Sequence, residues 1–535
     1  MDVGLEQQLR GLRAEEYGAG VVNKHAPLRM CLLYPSPYHV AMSSLGFLQI
    51  HRLANGRPGT VCERAFLPDK RAVEIHRRTR TSLMCLESLR PVNNSDLIGI
   101  SIAYELELTG LVTSLELSGL EPLAEDRDET DPLVILGGPL TFSNPLPAAP
   151  FADLVVLGEG ETKLNWILNY LEENPDAARG SKSARSKFLE LCAAQDGLLV
   201  PSLHGEYLPP IAKANDDSLP AVSEIYTPNT ELSDMVLIEP ERGCHRGCTF
   251  CVMRRSTNDG MRLVSPDKFL HLVPEKVGKV GLVGAAVTDH PRIKDILRAL
   301  VEEREKRIGI SSLRADRLDE EFVRLLTQGG YRSMTVAMDA PSERLMDQIE
   351  KNLKHRHLER AAELAKQFRM KHLKIYTVAV LPDETDEDVN ALIEFVQRLS
   401  KTIPIVLGVS PFVPKFHTPL AHAPFAGEKR AQKVITTLRK RLGHRIQVRG
   451  PSAKEAYVEY RLAQGGFAHA QAAIVAAKSG GSLGAWKRAL APLPERVEPK
   501  SAISIAPSPT NRRRWWKNGG SPLTIISDER TISPA

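Results

Sequence analysis

Three cysteines fall within eight residues: Cys244, Cys248 and Cys251, spaced C-x3-C-x2-C inside Glu239-Pro240-Glu241-Arg242-Gly243-Cys244-His245-Arg246-Gly247-Cys248-Thr249-Phe250-Cys251. They are three of the seven cysteines in 535 residues. An apolar run, Met235 to Ile238, leads into them and reads as a buried strand. Gly243 and Gly247 let the following loop turn tightly. Thiolate is a soft ligand that suits iron–sulfur clusters. A four-iron cluster usually takes four cysteines, so three would leave one iron open to a substrate or cofactor. Two alternatives stay open: a zinc site with His245 as fourth ligand, or three unrelated buried thiols. Zinc sites prefer paired C-x2-C groupings, and the sequence holds no second pair.

This spacing, with the aromatic Phe250 just before the third cysteine, resembles the signature of the radical S-adenosylmethionine (radical SAM) superfamily. The resemblance implies a [4Fe–4S] cluster on Cys244, Cys248 and Cys251, with S-adenosylmethionine on the open iron. One electron from the cluster would cleave the sulfonium to a 5′-deoxyadenosyl radical. An electron donor such as flavodoxin or ferredoxin is then an implied partner.

The totals frame this reading. A chain of 535 residues is long for one domain, and two or three are expected. Composition is that of a soluble globular protein, 42% hydrophobic and 25% charged. A net charge of +5 does not by itself call for nucleic acid. No run of 18 apolar residues exists, so no spanning helix is expected, and Met1 to Ala26 lacks the apolar core of a secretory signal. The scattered Cys31, Cys62, Cys85 and Cys192 fit reduced thiols in the cytoplasm.

The elements that must hold the cysteines alternate in type. Residues 1–26 read as an extension, a helix with a linker. Over residues 27–172, buried strands are expected at Met30–Tyr34, Leu97–Ile102, Leu133–Leu136 and Leu154–Leu157. Helices are expected around Met42 to Leu53, Leu106 to Leu117 and Lys163 to Leu171. Strands alternating with helices mean an α/β domain, a doubly wound parallel sheet that binds ligands at the carboxyl ends of its strands. Two glycine turns sit at such ends: Gly137-Gly138-Pro139 and Gly158-Glu159-Gly160. They let backbone approach a large planar or phosphate-bearing ligand.

These turns, with Asp153 to Glu161, resemble the Rossmann-like cobalamin (B12)-binding domain that precedes one large radical SAM class, and Tyr38 to Leu48, with its Met42 to Gly46 core, resembles uncharacterised proteins of that class. The resemblance implies cobalamin near Gly137, Gly138, Gly158, Glu159 and Gly160. That family carries D-x-H-x-x-G, whose histidine ligates cobalt. Here the window is Pro37-Tyr38-His39-Val40-Ala41-Met42, without the Asp that would orient His39 and without the Gly. Any cobalamin is therefore expected to have no protein nitrogen as lower ligand.

Residues 173–233 read as a linker, with a surface loop at 177–187. A second α/β domain is expected over 234–422, with strands at Met235–Ile238, Val280–Val283, Ile308–Leu313, Met334–Met338, Leu373–Leu381 and Ile405–Val409. Six parallel strands of this kind form a partial (β/α) barrel, a partial TIM barrel with its chemistry at the carboxyl ends. By resemblance, Gly281 to Gly284 meet the methionyl amino group of S-adenosylmethionine, Ser312 and Arg314 its ribose and carboxylate, and Glu343 a further polar position. An Arg can clamp a carboxylate with two hydrogen bonds. Equally, Ser312 and Arg314 could cap the next helix, and Glu343 could be a first-turn acid favoured by the helix dipole.

A helical C-terminal region is expected over 423–491, with a basic run at Lys429 to Arg441 that reads as a solvated face. The tail, 492–535, reads as disordered, with a basic-aromatic run at Arg512 to Lys517. The expected function is radical cleavage of S-adenosylmethionine. With cobalamin, methyl transfer to an unreactive carbon or phosphorus follows. Without it, rearrangement, cyclisation or thiolation is open. A non-catalytic iron–sulfur or redox-sensing protein is the rival.

Overall fold

The structure is a computed structural model that describes residues 2–21, 24–253, 260–310, 313–498 and 500–501. Ser312 and the run Arg512 to Lys517 lie outside the described residues. The strands of the two main sheets are numbered β1–β13 below.

The N-terminal sheet contains β1 (Leu28–Tyr34), β2 (Thr60–Phe66), β3 (Leu97–Ser101), β4 (Leu133–Gly137), β5 (Leu154–Val156) and β6 (Leu198–Leu199). Their order is β2-β1-β3-β4-β5-β6. All neighbours are parallel except β5 and β6, which run antiparallel through Val155↔Leu199. Order 2-1-3-4-5 puts a topological switch between β1 and β3, where open α/β sheets form a crevice. Apolar side chains cover both faces. Helices Leu45–Asn55 and Glu161–Glu173 pack on one, and Leu108–Leu117 on the other.

Two features differ from the sequence expectation. Strand β2 escapes an apolar-run reading because Glu63 and Arg64 interrupt it. Arg64 is nevertheless fully buried, held by Glu16 at 2.6 Å and Glu87 at 2.7 Å. The expected loop at 177–187 is largely helical, since Lys182–Ala193 is a helix. Its Phe188 and Cys192 are buried, and Arg185 donates to the carbonyls of Asp128, Asp131 and Ala178. That stretch therefore belongs to the first domain, and β6 completes its sheet, so the span expected as a linker is structured.

The second domain is a row of parallel strands: β7 (Met235–Ile238), β8 (Lys279–Leu282), β9 (Arg307–Ile310), β10 (Met334–Ala337), β11 (Leu373–Ala379), β12 (Ile405–Pro411) and β13 (Gln447–Arg449). The first three pair in the order β9-β8-β7, and the last four as β10-β11-β12-β13. A parallel bridge, Leu313↔Val336, joins the two groups. Six of these strands fall where the apolar runs predict them. β13, Gln-Val-Arg, carries too little apolar character to be read alone.

The C-terminal helices Ala453–Ala463, Ala468–Lys478 and Leu483–Leu490 turn back to the first domain. Val458, Leu462, Ala473, Ala477 and Trp486 share a core with Leu108, Leu111 and Leu115. Asn144 Nδ2 donates to the carbonyls of Leu462, Ala463 and Gly465. The C-terminal region is helical over these stretches, and it covers the first domain.

Candidate functional site

The cysteine loop begins where β7 ends. Glu241 and Arg242 pair with Leu263 and Arg262 in a two-residue antiparallel ladder, and Gly243 then turns with φ 95°. That left-handed conformation suits glycine alone without strain. Cys244, Cys248 and Cys251 are all partly exposed, while the other four cysteines are buried. Burial raises each of the three thiols, Cys251 to about 11, and the Cys244 and Cys248 thiols add to the rise at Cys251. Three thiols thus sit within electrostatic reach of one another at a strand end. Iron binding there would have to displace three protons.

The loop is fastened on several sides. Arg246 makes a two-pronged pair with Asp289, Nε–Oδ2 2.8 Å and Nη2–Oδ1 2.6 Å. Arg317 Nε also donates to Asp289, at 2.8 Å. Burial alone would raise the Asp289 carboxyl, but these guanidinium bonds outweigh it and hold it down at about 2. His245 Nε2 lies 3.9 Å from the same carboxylate, and burial followed by the Arg246 charge lowers its pKa. Thr249 N–H donates to the Ile349 carbonyl at 3.0 Å. Phe250 packs against the core of the second domain.

The other expected residues are placed as follows. Gly281 lies within β8, where a Cβ would meet Leu237 and Met235 side-chain atoms at 2.7 Å. Gly284 follows that strand, and a Cβ there would collide with Glu241 Oε1. Arg314 pairs with Asp316 at 3.0 and 3.2 Å and reaches the Lys351 carbonyl at 3.4 Å. Glu343 opens the helix Glu343–Gln348, and its Oε1 accepts from His355 N–H at 2.7 Å. His39 is exposed on the short helix Tyr38–Ala41.

One cavity of about 440 Å³ brings several of them together. It opens at the carboxyl edge of β1, β3, β4 and β5 and runs to the cysteine loop. Gly137, Gly138, Gly158, Glu159 and Gly160 line one end, and Glu241, Arg242, Gly243, Met253 and Gly284 the other. Phe250, Gly281, Arg314, Glu343 and His39 do not line it. Gly138 and Gly158 have φ of 101° and 88°. At Gly137 and Gly160 a Cβ would meet nothing closer than 3.8 Å and would occupy cavity space instead.

The walls also contain residues that sequence reading passes over. Arg242 bonds Glu239 at 2.8 and 2.9 Å and Glu161 at 2.7 Å, and lies 3.7 Å from Glu159. Arg262 pairs with Glu159 as well. Glu241 is fully buried; Oε1 accepts from Ala286 N–H at 2.8 Å. Burial, with Glu239 and Asp289 nearby, pushes its carboxyl up to about 7 against that bond. The only sequence signal for this network is the Glu-Pro-Glu-Arg run just before Cys244.

Residues 46–201 match the family model for radical SAM proteins, N-terminal region, and residues 238–396 match the radical SAM superfamily model. The chain belongs to the radical SAM superfamily. An uncharacterised protein of Methanocaldococcus jannaschii is 27% identical over 430 residues, 78% of this chain and 85% of that one. An uncharacterised methyltransferase of Pyrococcus horikoshii is 25% identical over 280 residues, 50% of this chain and 58% of that one. Among solved structures, the cobalamin-dependent S-adenosylmethionine radical enzyme OxsB, with aqua-cobalamin and S-adenosylmethionine bound, is 15% identical with a TM-score of 0.45. That alignment covers 71% of this chain, which spans about half, 53%, of the OxsB chain.

Radical SAM membership implies an enzyme with a [4Fe–4S] cluster, S-adenosylmethionine and an electron donor. The residues present fit the cluster: three soft, partly exposed donors on one loop, each able to take one corner iron. Among the described residues, no three His, Cys, Asp or Glu side chains gather around a single-ion site. No helix of the described residues is long and apolar enough to cross a membrane.

Proposed function

We propose that this radical SAM protein cleaves S-adenosylmethionine reductively at a cluster on Cys244, Cys248 and Cys251, and that its N-terminal cavity takes the nucleotide tail of a cobalamin. The cavity that joins the glycine turns of the first sheet to the cysteine loop carries this reading. Its volume of about 440 Å³ suits a nucleotide-sized group. The space beside Gly137 and Gly160 would admit a flat ring against backbone. When bound, cobalamin supplies a methyl group for transfer to an unreactive carbon or phosphorus. The methyltransferase naming of the Pyrococcus horikoshii relative points the same way.

The chain's own residues have separable tasks in this reading. The three thiolates hold iron. Asp289, through Arg246, fixes the loop between them. Glu241 props the turn after β8 through Ala286 N–H. Arg314, already oriented by Asp316, presents a guanidinium for a carboxylate. His39, exposed and outside the cavity lining, leaves cobalt without a protein nitrogen.

The test is anaerobic reconstitution of the full chain with iron and sulfide, followed by reduction with S-adenosylmethionine and assay for 5′-deoxyadenosine. Hydroxocobalamin is then bound and reduced, and its paramagnetic spectrum is read. Formation of 5′-deoxyadenosine and a cobalt spectrum without nitrogen splitting are expected. No 5′-deoxyadenosine would favour the iron–sulfur sensor. Nitrogen splitting lost in His39→Ala would make His39 the ligand.

A further inference from the structure

The strands of the second domain turn one face to the helices outside them, where Leu373, Ile375, Leu407 and Val409 are buried. The alternate residues of each strand point to the inner face of the partial barrel. In register there, Lys374 stands between Thr335 and Val406, and Tyr376 between Ala337 and Gly408, with Arg449 beyond Gly408. A barrel interior is ordinarily filled by its own side chains. On the β7 side it is filled: a Cβ at Gly281 or Gly309 would meet Met235 Sδ at 2.7 or 3.1 Å. On the β11 side it is open. Tyr376 is 39% exposed in the middle of its strand, and Ser410 and Arg449 are exposed as well.

The charge on this inner face has one sign. Strands β7–β13 contain no Asp or Glu, but four cations: Lys279, Arg307, Lys374 and Arg449. Lys279 is engaged by the Ser233 carbonyl at 2.8 Å, and Arg307 is exposed at the start of β9. Neither Lys374 nor Arg449 forms an ion pair among the described residues. Arg449 Nη2 donates to a neutral amide oxygen, Gln447 Oε1, at 2.6 Å. Lys374 Nζ lies over the Tyr376 ring, 4.5 Å from its centroid. That ring rests against bare backbone, since a Cβ at Gly408 would meet it at 2.5 Å. An ammonium resting on a partly exposed ring is weakly held. A charge-assisted hydrogen bond to an anion is stronger, so an incoming anion would win Lys374 from the ring.

We propose that the inner face of the partial barrel binds an organic anion as substrate, with its carboxylate or phosphate on Lys374 and its flat or apolar body against Tyr376. Lys374 lies near the start of β11, whereas the cysteine loop leaves the carboxyl end of β7. The anion would therefore sit deep in the barrel, and the body would extend over Tyr376 toward the cysteines. Arg449, two strands away, adds positive field at the open edge. The inference rests on the radical SAM reading for where the reacting end lies, and it adds the substrate class.

The experiment uses the full chain with its cluster reconstituted anaerobically, without S-adenosylmethionine or reductant. Benzoate, phenyl phosphate and the neutral isostere benzamide are titrated separately by calorimetry. At least one of the two anions should bind one to one and at least tenfold more tightly than benzamide, and whichever is tighter tells carboxylate from phosphate. Lys374→Met should remove that preference and Lys374→Arg should keep it, with iron content and melting temperature close to wild type. Tyr376→Leu should weaken the anion and benzamide alike. The wild-type preference is measured without any variant, so a variant that fails to fold does not decide the matter. No preference in the wild type, or one that survives Lys374→Met, overturns the inference. A preference lost in Arg314→Ala but kept in Lys374→Met would place the anion at Arg314 and overturn it too. Wild-type protein that forms 5′-deoxyadenosine yet shows no anion preference overturns this inference alone. An anion preference lost in Lys374→Met, in protein that forms no 5′-deoxyadenosine, upholds the anion site and overturns the radical reading.

Discussion

Arg242 Nη2 lies 2.7 Å from Glu161 Oε1, which joins the residue two places before Cys244 to the first residue of the helix that leaves the Gly158 to Gly160 turn. The pair ties the cysteine loop to the edge of the N-terminal sheet. Through Glu239 and Glu159 it becomes a mostly buried cluster on the cavity wall.

Replacing Arg242 should therefore cost stability as well as function. Arg242→Met leaves Glu159, Glu161 and Glu239 without their shared cation, although Arg262 still serves Glu159. Removing one partner of a buried charge network typically costs about 3–5 kcal/mol. Urea unfolding at neutral pH checks this. A change below about 1 kcal/mol, the range of exposed pairs, would show that water reaches those carboxylates.

The ligand set is tested by iron content. Cys244→Ala, Cys248→Ala and Cys251→Ala should each lose the reconstituted cluster, because three thiolates share one cube of iron and sulfide. Cys62→Ala and Cys85→Ala, at buried positions in the first domain, should keep it. Full iron in any one of the first three variants would remove that cysteine from the set.

Binding of S-adenosylmethionine should show in the cluster itself. Adding it to the reduced protein should change the electron paramagnetic resonance spectrum, as amine and carboxylate enter the coordination of the open iron. Arg314→Ala should weaken that binding about tenfold or more, since a hydrogen bond to a charged group contributes about 1.5–3 kcal/mol. An unchanged affinity would confine Arg314 to its pair with Asp316.

A buried histidine gives the fold an acid limit away from the cavity. His469, 0% exposed in the C-terminal cover, accepts Gly466 N–H at Nδ1, 3.1 Å. Burial, then the Arg461 charge, pushes its imidazole down to about 4, against about 6.5 in an unfolded chain. The unfolded state thus binds the proton more readily. Stability should be unaffected above about pH 6.5 and fall by about 1.4 kcal/mol per pH unit from there to about pH 4. His469→Asn keeps an acceptor for Gly466 but does not titrate there. Denaturant unfolding at several pH values should show a shallower acid slope for this variant, and equal slopes would count against the assignment.

Strand periodicity and cysteine spacing were legible without coordinates because each depends on near neighbours in the chain. The apolar runs at Leu97, Leu133, Met235 and Leu373 had to be strands in a sheet buried on both faces. Cys244, Cys248 and Cys251 had to share a loop. Where burial depends on distant partners, the chain alone was mute. Arg64 occupies a buried strand only because Glu16, 48 residues earlier, neutralises it. Lys182–Ala193 became part of the first domain because Arg185 meets carbonyls more than 50 residues away. The C-terminal helices found their partner in Leu108–Leu117, a choice no local pattern contains. Gln49 and Glu241, 192 positions apart, line one cavity because the crevice of the first sheet faces the end of β7 in the second. Chemistry that lies within one loop can be read from spacing; a site divided between two sheets exists only once their packing brings its halves together.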